Sequence, residues 1–468
     1  MSMNTPLSQA KRAWARAEYA ASRRSRHLWG RHSGVRLSDF AGGTSLGGRC
    51  RELAGRSVLL VANDQLAAAL ALIELDGVAS RIILGPVDPS ADQLHSIMRA
   101  GCVDAIVSTG QQSSPGGSGA ALHVLCDVSI RPADEPCDGD LTTEWVLLSS
   151  GTSSGTPKLV IHTLATLIAP LRHGNDLDDG VVWGTFYDIR RYGGLQIFLR
   201  ALMGGGSMVF SDHGEIISDC VARLQQRGVT HISGTPSHWR RLMMSGAANA
   251  LAPRYVRLSG EIADQPILDT LQSTYRSSRI VHAFASTEAG VVFEVTDGLA
   301  GFPADFVGVR ENVEVRIDNS SLCVRSGSTA LRYLGEGQAP LVRADGFVDT
   351  GDMVERCGER YRFLGRRNGV MNIGGMKVHP EEIEAVINSH PWVAMSSVQA
   401  RKNPIIGAVV AAEVVLRSEQ PIVPGSNIEE EILSLCRQIL PPHKVPATLR
   451  VVPSLRIAEA GKLSRSDA

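Results

Sequence analysis

From about Arg56 to Phe284, short apolar runs alternate with longer amphipathic ones. Ser57-Val58-Leu59-Leu60-Val61, Arg81-Ile82-Ile83-Leu84 and Asp104-Ala105-Ile106-Val107 read as buried strands. The theme returns at 181–186, 207–210, 231–233, 255–258 and 279–284, and helical periodicity falls at 64–75, 216–227 and 267–275. Short apolar strands separated by helices predict an α/β fold of helix-covered, largely parallel sheets. Trp145-Val146-Leu147-Leu148 is a further buried strand, and 110–119 reads as a polar loop.

The pattern changes after Leu364. Gly365-Arg366-Arg367-Asn368-Gly369 has nothing apolar to bury and reads as a hinge. Beyond it, a helix with Pro380 at its start (380–389), a strand (409–415), a helix (428–439) and a strand (449–452) predict a small α+β domain. The expected organisation is a large N-terminal domain over 1–364, a hinge at 365–369 and a small C-terminal domain over 370–468.

Composition narrows the partners. The 468 residues carry 47 Lys and Arg against 48 Asp and Glu, a net charge of −1. That balance gives no reason to expect nucleic acid or a membrane surface. No apolar run reaches membrane-spanning length, since the best, around 66–73, stops at Glu74 and Asp76. Eight scattered cysteines without a Cys-x-x-Cys pair argue against a zinc site and a disulfide scaffold. They fit a reducing compartment, here the cytoplasm. The first 36 residues are a basic segment, Arg-rich and acid-poor, which reads either as a transit peptide or as a basic surface helix or tail.

The candidate chemistry lies at predicted strand ends, where open α/β sheets place ligands. After the strand at Trp145 comes Ser149-Ser150-Gly151-Thr152-Ser153-Ser154-Gly155-Thr156-Pro157-Lys158. Glycine lets backbone approach an anion, hydroxyls and N–H groups donate to it, and lysine adds charge, so this loop suits phosphate. Phe284-Ala285-Ser286-Thr287-Glu288 puts an aromatic face, hydroxyls and a carboxylate within one turn. Glu288 suits Mg²⁺, which takes a carboxylate together with substrate phosphates, though the same residues also suit a capped helix start. Asp349-Thr350-Gly351-Asp352 offers carboxylates on a tight turn that can accept from a vicinal diol. Gly461-Lys462 places a cation on a glycine-hinged loop near the C-terminus.

In this order, with Asn372-Ile373-Gly374-Gly375-Met376-Lys377-Val378-His379-Pro380-Glu381-Glu382, these motifs resemble the adenylate-forming superfamily of acyl-CoA synthetases, peptide-synthetase adenylation domains and luciferases. The resemblance covers roughly 145–465 and implies a small C-terminal domain that moves on its hinge. It implies that Ser150, Gly151, Thr152, Ser153, Ser154, Gly155, Thr156 and Lys158 hold the ATP phosphates. Phe284 then packs on adenine beside Gly260 and Glu261, Thr287 contacts phosphate and Glu288 holds Mg²⁺. Asp352 binds the ribose with Arg366 nearby, and Lys462 is the catalytic lysine. The implied reaction is activation of a small carboxylic acid as acyl-AMP, then transfer to a thiol.

The chain departs from the family pattern in an extra Ser among Ser153 and Ser154, Leu159 where Gly is usual, Ala285 for Gly, and Asn368-Gly369 for acidic hinge residues. Tyr192 stands where amino-acid-activating members carry Asp, which disfavours an α-amino acid. Arg190 and Arg191 fall near the acid pocket, where one could meet a second substrate carboxylate bidentately. Gly374 and Gly375 resemble the pair that lines the pantetheine tunnel of acyl-CoA synthetases, so CoA is the favoured acceptor. A separate acyl carrier protein presenting the same phosphopantetheine arm is the alternative, and a catalytically silent nucleotide-binding homologue is a third reading.

Overall fold

The computed structural model describes residues 5–11, 25–110, 121–133, 137–149, 158–171, 180–335, 337–403, 407–417, 427–458 and 461–464. They pack as two compact units, one drawn from 1–233, 285–292 and 325–348, the other from 234–284, 293–324 and 349–468. Chain segments before residue 349 share the second unit with the C-terminal hundred residues.

In the first unit a seven-stranded sheet runs in the order Arg332–Leu334, Lys158–Thr163, Glu144–Ser149, Arg81–Leu84, Ser57–Val61, Ala105–Ser108, Leu122–Leu125. The apolar strands at its centre pair in parallel, while Lys158–Thr163 is antiparallel to both neighbours. Helix Gln65–Leu75 starts where the Asp64 carboxylate accepts from the N–H groups of Leu66 and Ala67. All eleven of its residues are buried, which explains why it reads as apolar all round. Val182–Thr185 pairs in parallel with Ser207–Val209 and His231–Gly234.

Residues 5–11 and 25–36 belong to this unit. His27–Trp29 pairs in parallel with Ser207–Val209 and forms a hairpin with Gly34–Arg36. Residues 7–11 are helical, and the buried Asp76 carboxylate accepts from Leu7 N–H (2.9 Å) and Trp145 Nε1–H (2.8 Å). Lys11 Nζ donates to the Gly43 carbonyl at 2.6 Å and lies 3.9 Å from the buried Glu74 carboxylate. A frayed tail does not describe these residues. The arginines set the composition, but the few apolar positions between them set the docking.

Cys50 and Cys137, 87 positions apart, form a disulfide. The sequence argued against a disulfide scaffold, and among the described residues this is one pair beside six free cysteines. Spacing along the chain could not show that the turn Cys50–Leu53 and the segment at 137 meet in space. Among the described residues no helix is long and apolar enough to cross a membrane.

The second unit contains the parallel pair Tyr255–Ser259 and Arg279–Ser286, the latter running on past Phe284, and an antiparallel sheet that includes Val348–Cys357 and Arg360–Arg366. That antiparallel sheet was not anticipated, because its strands are half-buried and broken by polar residues rather than apolar throughout. The C-terminal hundred residues form the expected α+β layer. Val393–Asn403, Gly407–Leu416 and Thr448–Val451 make a three-stranded sheet, with Pro380–Asn388 and Ile428–Ile439 contributing Ile383, Ile387, Ile432 and Cys436 to its core.

Replacing Asp76 with Ala strands two buried donors, so urea unfolding followed by tryptophan fluorescence at pH 7 should show a loss of about 2–4 kcal/mol. A loss below about 0.5 kcal/mol would mean that the Leu7 and Trp145 contacts do not hold the N-terminal segment.

Candidate active site

Helix Pro236–Met244 begins at Thr235, whose hydroxyl accepts from His238 N–H at 3.0 Å and donates to the Gly461 carbonyl at 2.6 Å. The His238 Nδ1 accepts from Thr235 N–H at 3.1 Å. Burial, reinforced by the Arg241 charge, pushes the imidazole down to about 3, so it is neutral with its proton on Nε2. Gly461 lies against this ring. A methyl group on its α-carbon would stand 1.9 Å from His238 Cε1, and its φ of +70° already favours glycine.

That placement carries Lys462 across Gly260. A methyl group at Gly260 would lie 3.4 Å from Lys462 Cε and 4.0 Å from Nζ. Beside Lys462, Ala458 N–H donates to the Lys462 carbonyl at 2.8 Å, and Ile457 and Leu463 form an antiparallel bridge. Glu261 faces the loop rather than standing apart from it. Its carboxylate accepts from Leu463 N–H (2.8 Å), Ser237 N–H (2.9 Å) and Ser237 Oγ–H (3.0 Å). Below this, Nη2 of the buried Arg240 donates to both Asp264 carboxylate oxygens (2.6 Å each), and Nη1 donates to the Ala394 carbonyl at 3.1 Å. Asn388 Nδ2 (2.9 Å) and Ile267 N–H (3.1 Å) also donate to Asp264.

Asp349 and Asp352 sit on a strand bent at Gly351 (φ +70°), not on a free turn. Asp349 accepts from Ser321 Oγ–H (2.6 Å), Gly351 N–H (3.0 Å) and the Arg367 guanidinium. Burial alone would raise its carboxyl, but these donors outweigh it and take it down to about 2. Asp352 Oδ1 accepts from Arg366 Nε–H at 3.2 Å, while its buried Oδ2 has no hydrogen-bond partner among the described residues. A buried carboxylate oxygen without a donor is costly unless a ligand hydroxyl supplies one, and that fits a ribose diol. Phe284 stacks on Phe293 (5.6 Å) and Phe363 (5.2 Å), so part of its ring is committed to an aromatic cluster beside the strand that carries Arg366.

Thr287 and Glu288 form a half-buried turn in the first unit. Ser286 Oγ accepts from Ala289 N–H at 2.9 Å, and the Glu288 carbonyl accepts from Ala330 N–H at 2.9 Å. The turn has a support that sequence reasoning missed. His162 Nε2–H donates to the Thr287 carbonyl at 2.7 Å, and its Nδ1 lies 3.0 Å from Thr166 Oγ1. Burial takes this imidazole down to about 4 despite the carbonyl that favours its charged form. Only a lone histidine in the apolar strand Lys158–Thr163 signalled it.

Other expectations are corrected or relocated. Arg190 is buried and spent on the Asp188 carboxylate and the Ala62 carbonyl, so it cannot meet a substrate carboxylate without breaking those bonds. Leu159 pairs with Leu148 and Leu334 and fills the sheet core with Leu59 and Ile161, which accounts for a side chain where glycine is usual. Ala285 needs no glycine, because its φ is not left-handed. Gly374 and Gly375 form the two-residue turn between Met371–Ile373 and Met376–Val378, with φ of +56° and +85°. A methyl group on either would meet nothing within 4 Å, so backbone conformation rather than crowding calls for glycine there. Within 365–369, Gly365 rather than Gly369 has a positive φ (+140°), and a methyl group there would stand 2.3 Å from the Glu381 carboxylate. Lys158 is exposed, with Nζ 4.6 Å from the centre of the Tyr333 ring. Ser150, Gly151, Thr152, Ser153, Ser154, Gly155 and Thr156 lie outside the described residues.

The family model for AMP-binding enzymes matches residues 60–334, more than half of the chain, and the model for their C-terminal domain matches 382–462. The chain belongs to this family of adenylate-forming enzymes. It is 28% identical over 374 residues to 2-succinylbenzoate–CoA ligase of Salmonella typhimurium, covering 78% of this chain and 76% of that one. It is 26% identical over 428 residues to CymA of Salinispora arenicola, named a nonribosomal peptide synthetase of probable assignment. That match covers 81% of this chain but 5% of CymA. The fold is shared with a point variant of E. coli MenE with bound OSB-AMS (TM-score 0.75, 20% identity, 94% and 95% of the chains). It is also shared with ATP-bound MatB from Rhodopseudomonas palustris (TM-score 0.77, 17% identity, 97% of each).

The neutral His162 predicts an acid-side loss of stability. Its folded pKa of about 4 lies below the ordinary 6.5, so its contribution is complete above pH 6.5 and lost as pH falls toward 4. Urea midpoints measured from pH 7 to 4 should fall less steeply in His162→Gln than in the wild type. Equal slopes would mean that His162 is not held neutral.

Proposed function

We propose that the protein activates a small carboxylic acid with ATP and passes the acyl group to the thiol of CoA. A carboxylate is a poor electrophile. Attack by its oxygen on the α-phosphorus of ATP forms acyl-AMP as the bond to the β-phosphate breaks and pyrophosphate leaves. A thiol then attacks the acyl carbon, and AMP departs with the former carboxylate oxygen. The observation that carries this reading is Lys462, the sequence-predicted cation, held over Gly260 by a loop fastened at Thr235 and Glu261. A cation fixed before reaction stabilises charge developing between two anions without reorganisation cost.

Asp352 Oδ2 would accept from the ribose, and Lys158 would approach the phosphates with the loop that precedes it. Among the described residues no cluster of three or more His, Cys, Asp or Glu could hold a metal ion. A single carboxylate such as Glu288 therefore fits Mg²⁺ held mainly by substrate phosphates. When bound, Mg²⁺ would neutralise phosphate charge. The names of the CoA-ligase relatives support CoA as acceptor, and the peptide-synthetase relative keeps a carrier-borne phosphopantetheine arm as the competing one.

Acid-dependent exchange of labelled pyrophosphate into ATP, run over a panel of aryl, fatty and dicarboxylic acids, should reveal at least one substrate. Lys462→Ala should lower that exchange about 10²–10³-fold. Exchange that ignores the substitution would remove Lys462 from the reaction, and no exchange with any acid would favour a silent nucleotide-binding protein. With the acid known, CoA should yield thioester faster than a purified holo-carrier protein does. The reverse order would assign the carrier as acceptor.

A further inference from the structure

We infer that Glu261 is a positioning residue for Lys462 rather than a nucleotide contact, an inference that rests on the acid-activating reading above. Sequence placed Glu261 with Gly260 in the adenine pocket. Its carboxylate is instead taken up by three donors, two from Ser237 at the first turn of helix Pro236–Met244 and one from Leu463, the residue after Lys462. The two Ser237 bonds fix the carboxylate from one side. The Leu463 bond then uses it to hold the lysine loop from the other.

Two hydrogen bonds hold the lysine loop on either side of Lys462: Thr235 Oγ1–H, at the helix start, to the Gly461 carbonyl, and Leu463 N–H to Glu261, whose carboxylate is itself bonded to Ser237 in the helix's first turn. They flank Lys462 on either side, so together they set the direction in which its side chain leaves the backbone. The one to Glu261 has an ionised acceptor and is the stronger type. The packing of Gly461 on His238 fixes how close the loop comes, but not its rotation about that contact. Removing the Glu261 carboxylate should therefore leave the fold intact and let Lys462 wander.

Two measurements on the full chain test this. Hydrogen exchange of the peptide spanning 457–464 needs only folded protein, and Glu261→Ala should speed it clearly while exchange in 380–388 stays unchanged. In the pyrophosphate exchange assay, Glu261→Ala should lower kcat about tenfold with the ATP KM within about threefold, and should add nothing to the loss in Lys462→Ala. Glu261→Gln, which keeps an acceptor for Leu463, should recover part of the rate. Unchanged hydrogen exchange would overturn the inference. So would a raised ATP KM with kcat retained, or losses that add to those of Lys462→Ala. If the wild type activated no acid, the catalytic reading and the role of Glu261 in it would both fall. Hydrogen exchange would still decide whether Glu261 docks the loop.

Discussion

A glycine α-carbon laid on a buried imidazole governs where this protein's C-terminal lysine stands. There is no room for a side chain at Gly461, because His238 occupies it, and no alternative tautomer for His238, because Thr235 N–H requires Nδ1 as an acceptor. Thr235 also starts helix Pro236–Met244. Helix start, histidine orientation and lysine placement are consequently one arrangement. The Arg240–Asp264–Asn388 cluster sits further along the same helix and engages the Ala394 carbonyl. Buried charges of this kind are stable only while every partner is present.

Much of the fold was legible in the sequence. Buried parallel strands such as Ser57–Val61 and Arg81–Leu84 are apolar throughout, and their helices carry clear caps, so period and punctuation agree. The antiparallel sheet around Val348–Cys357 was missed because long strands in it are only half-buried and the pairing is irregular, as at the shift between Met353 and Val354. The His27–Trp29 hairpin was hidden by the arginines around it. A composition rule weighed their charge, whereas the docking rests on Leu7, Leu28 and Val35.

The site was legible at the level of chemistry and less so at the level of partners. Lys462 lies over Gly260, and Asp352 keeps a buried oxygen with no donor among the described residues. Arg190 is already engaged by Asp188 and the Ala62 carbonyl; a motif says which residue occupies a position but not which neighbour has claimed its charge. His162 was signalled only as a lone histidine in an apolar strand. Its importance lies in a hydrogen bond to Thr287, 125 positions away.

The central claim is that a carboxylate oxygen attacks the α-phosphorus of ATP. It is tested most directly by supplying the substrate acid with both carboxylate oxygens labelled with ¹⁸O, running the reaction to thioester, and weighing the nucleotide and phosphate products by mass spectrometry. The account predicts one labelled oxygen in AMP and unlabelled pyrophosphate. Label in inorganic phosphate with ADP as the nucleotide, or AMP without label, would contradict it.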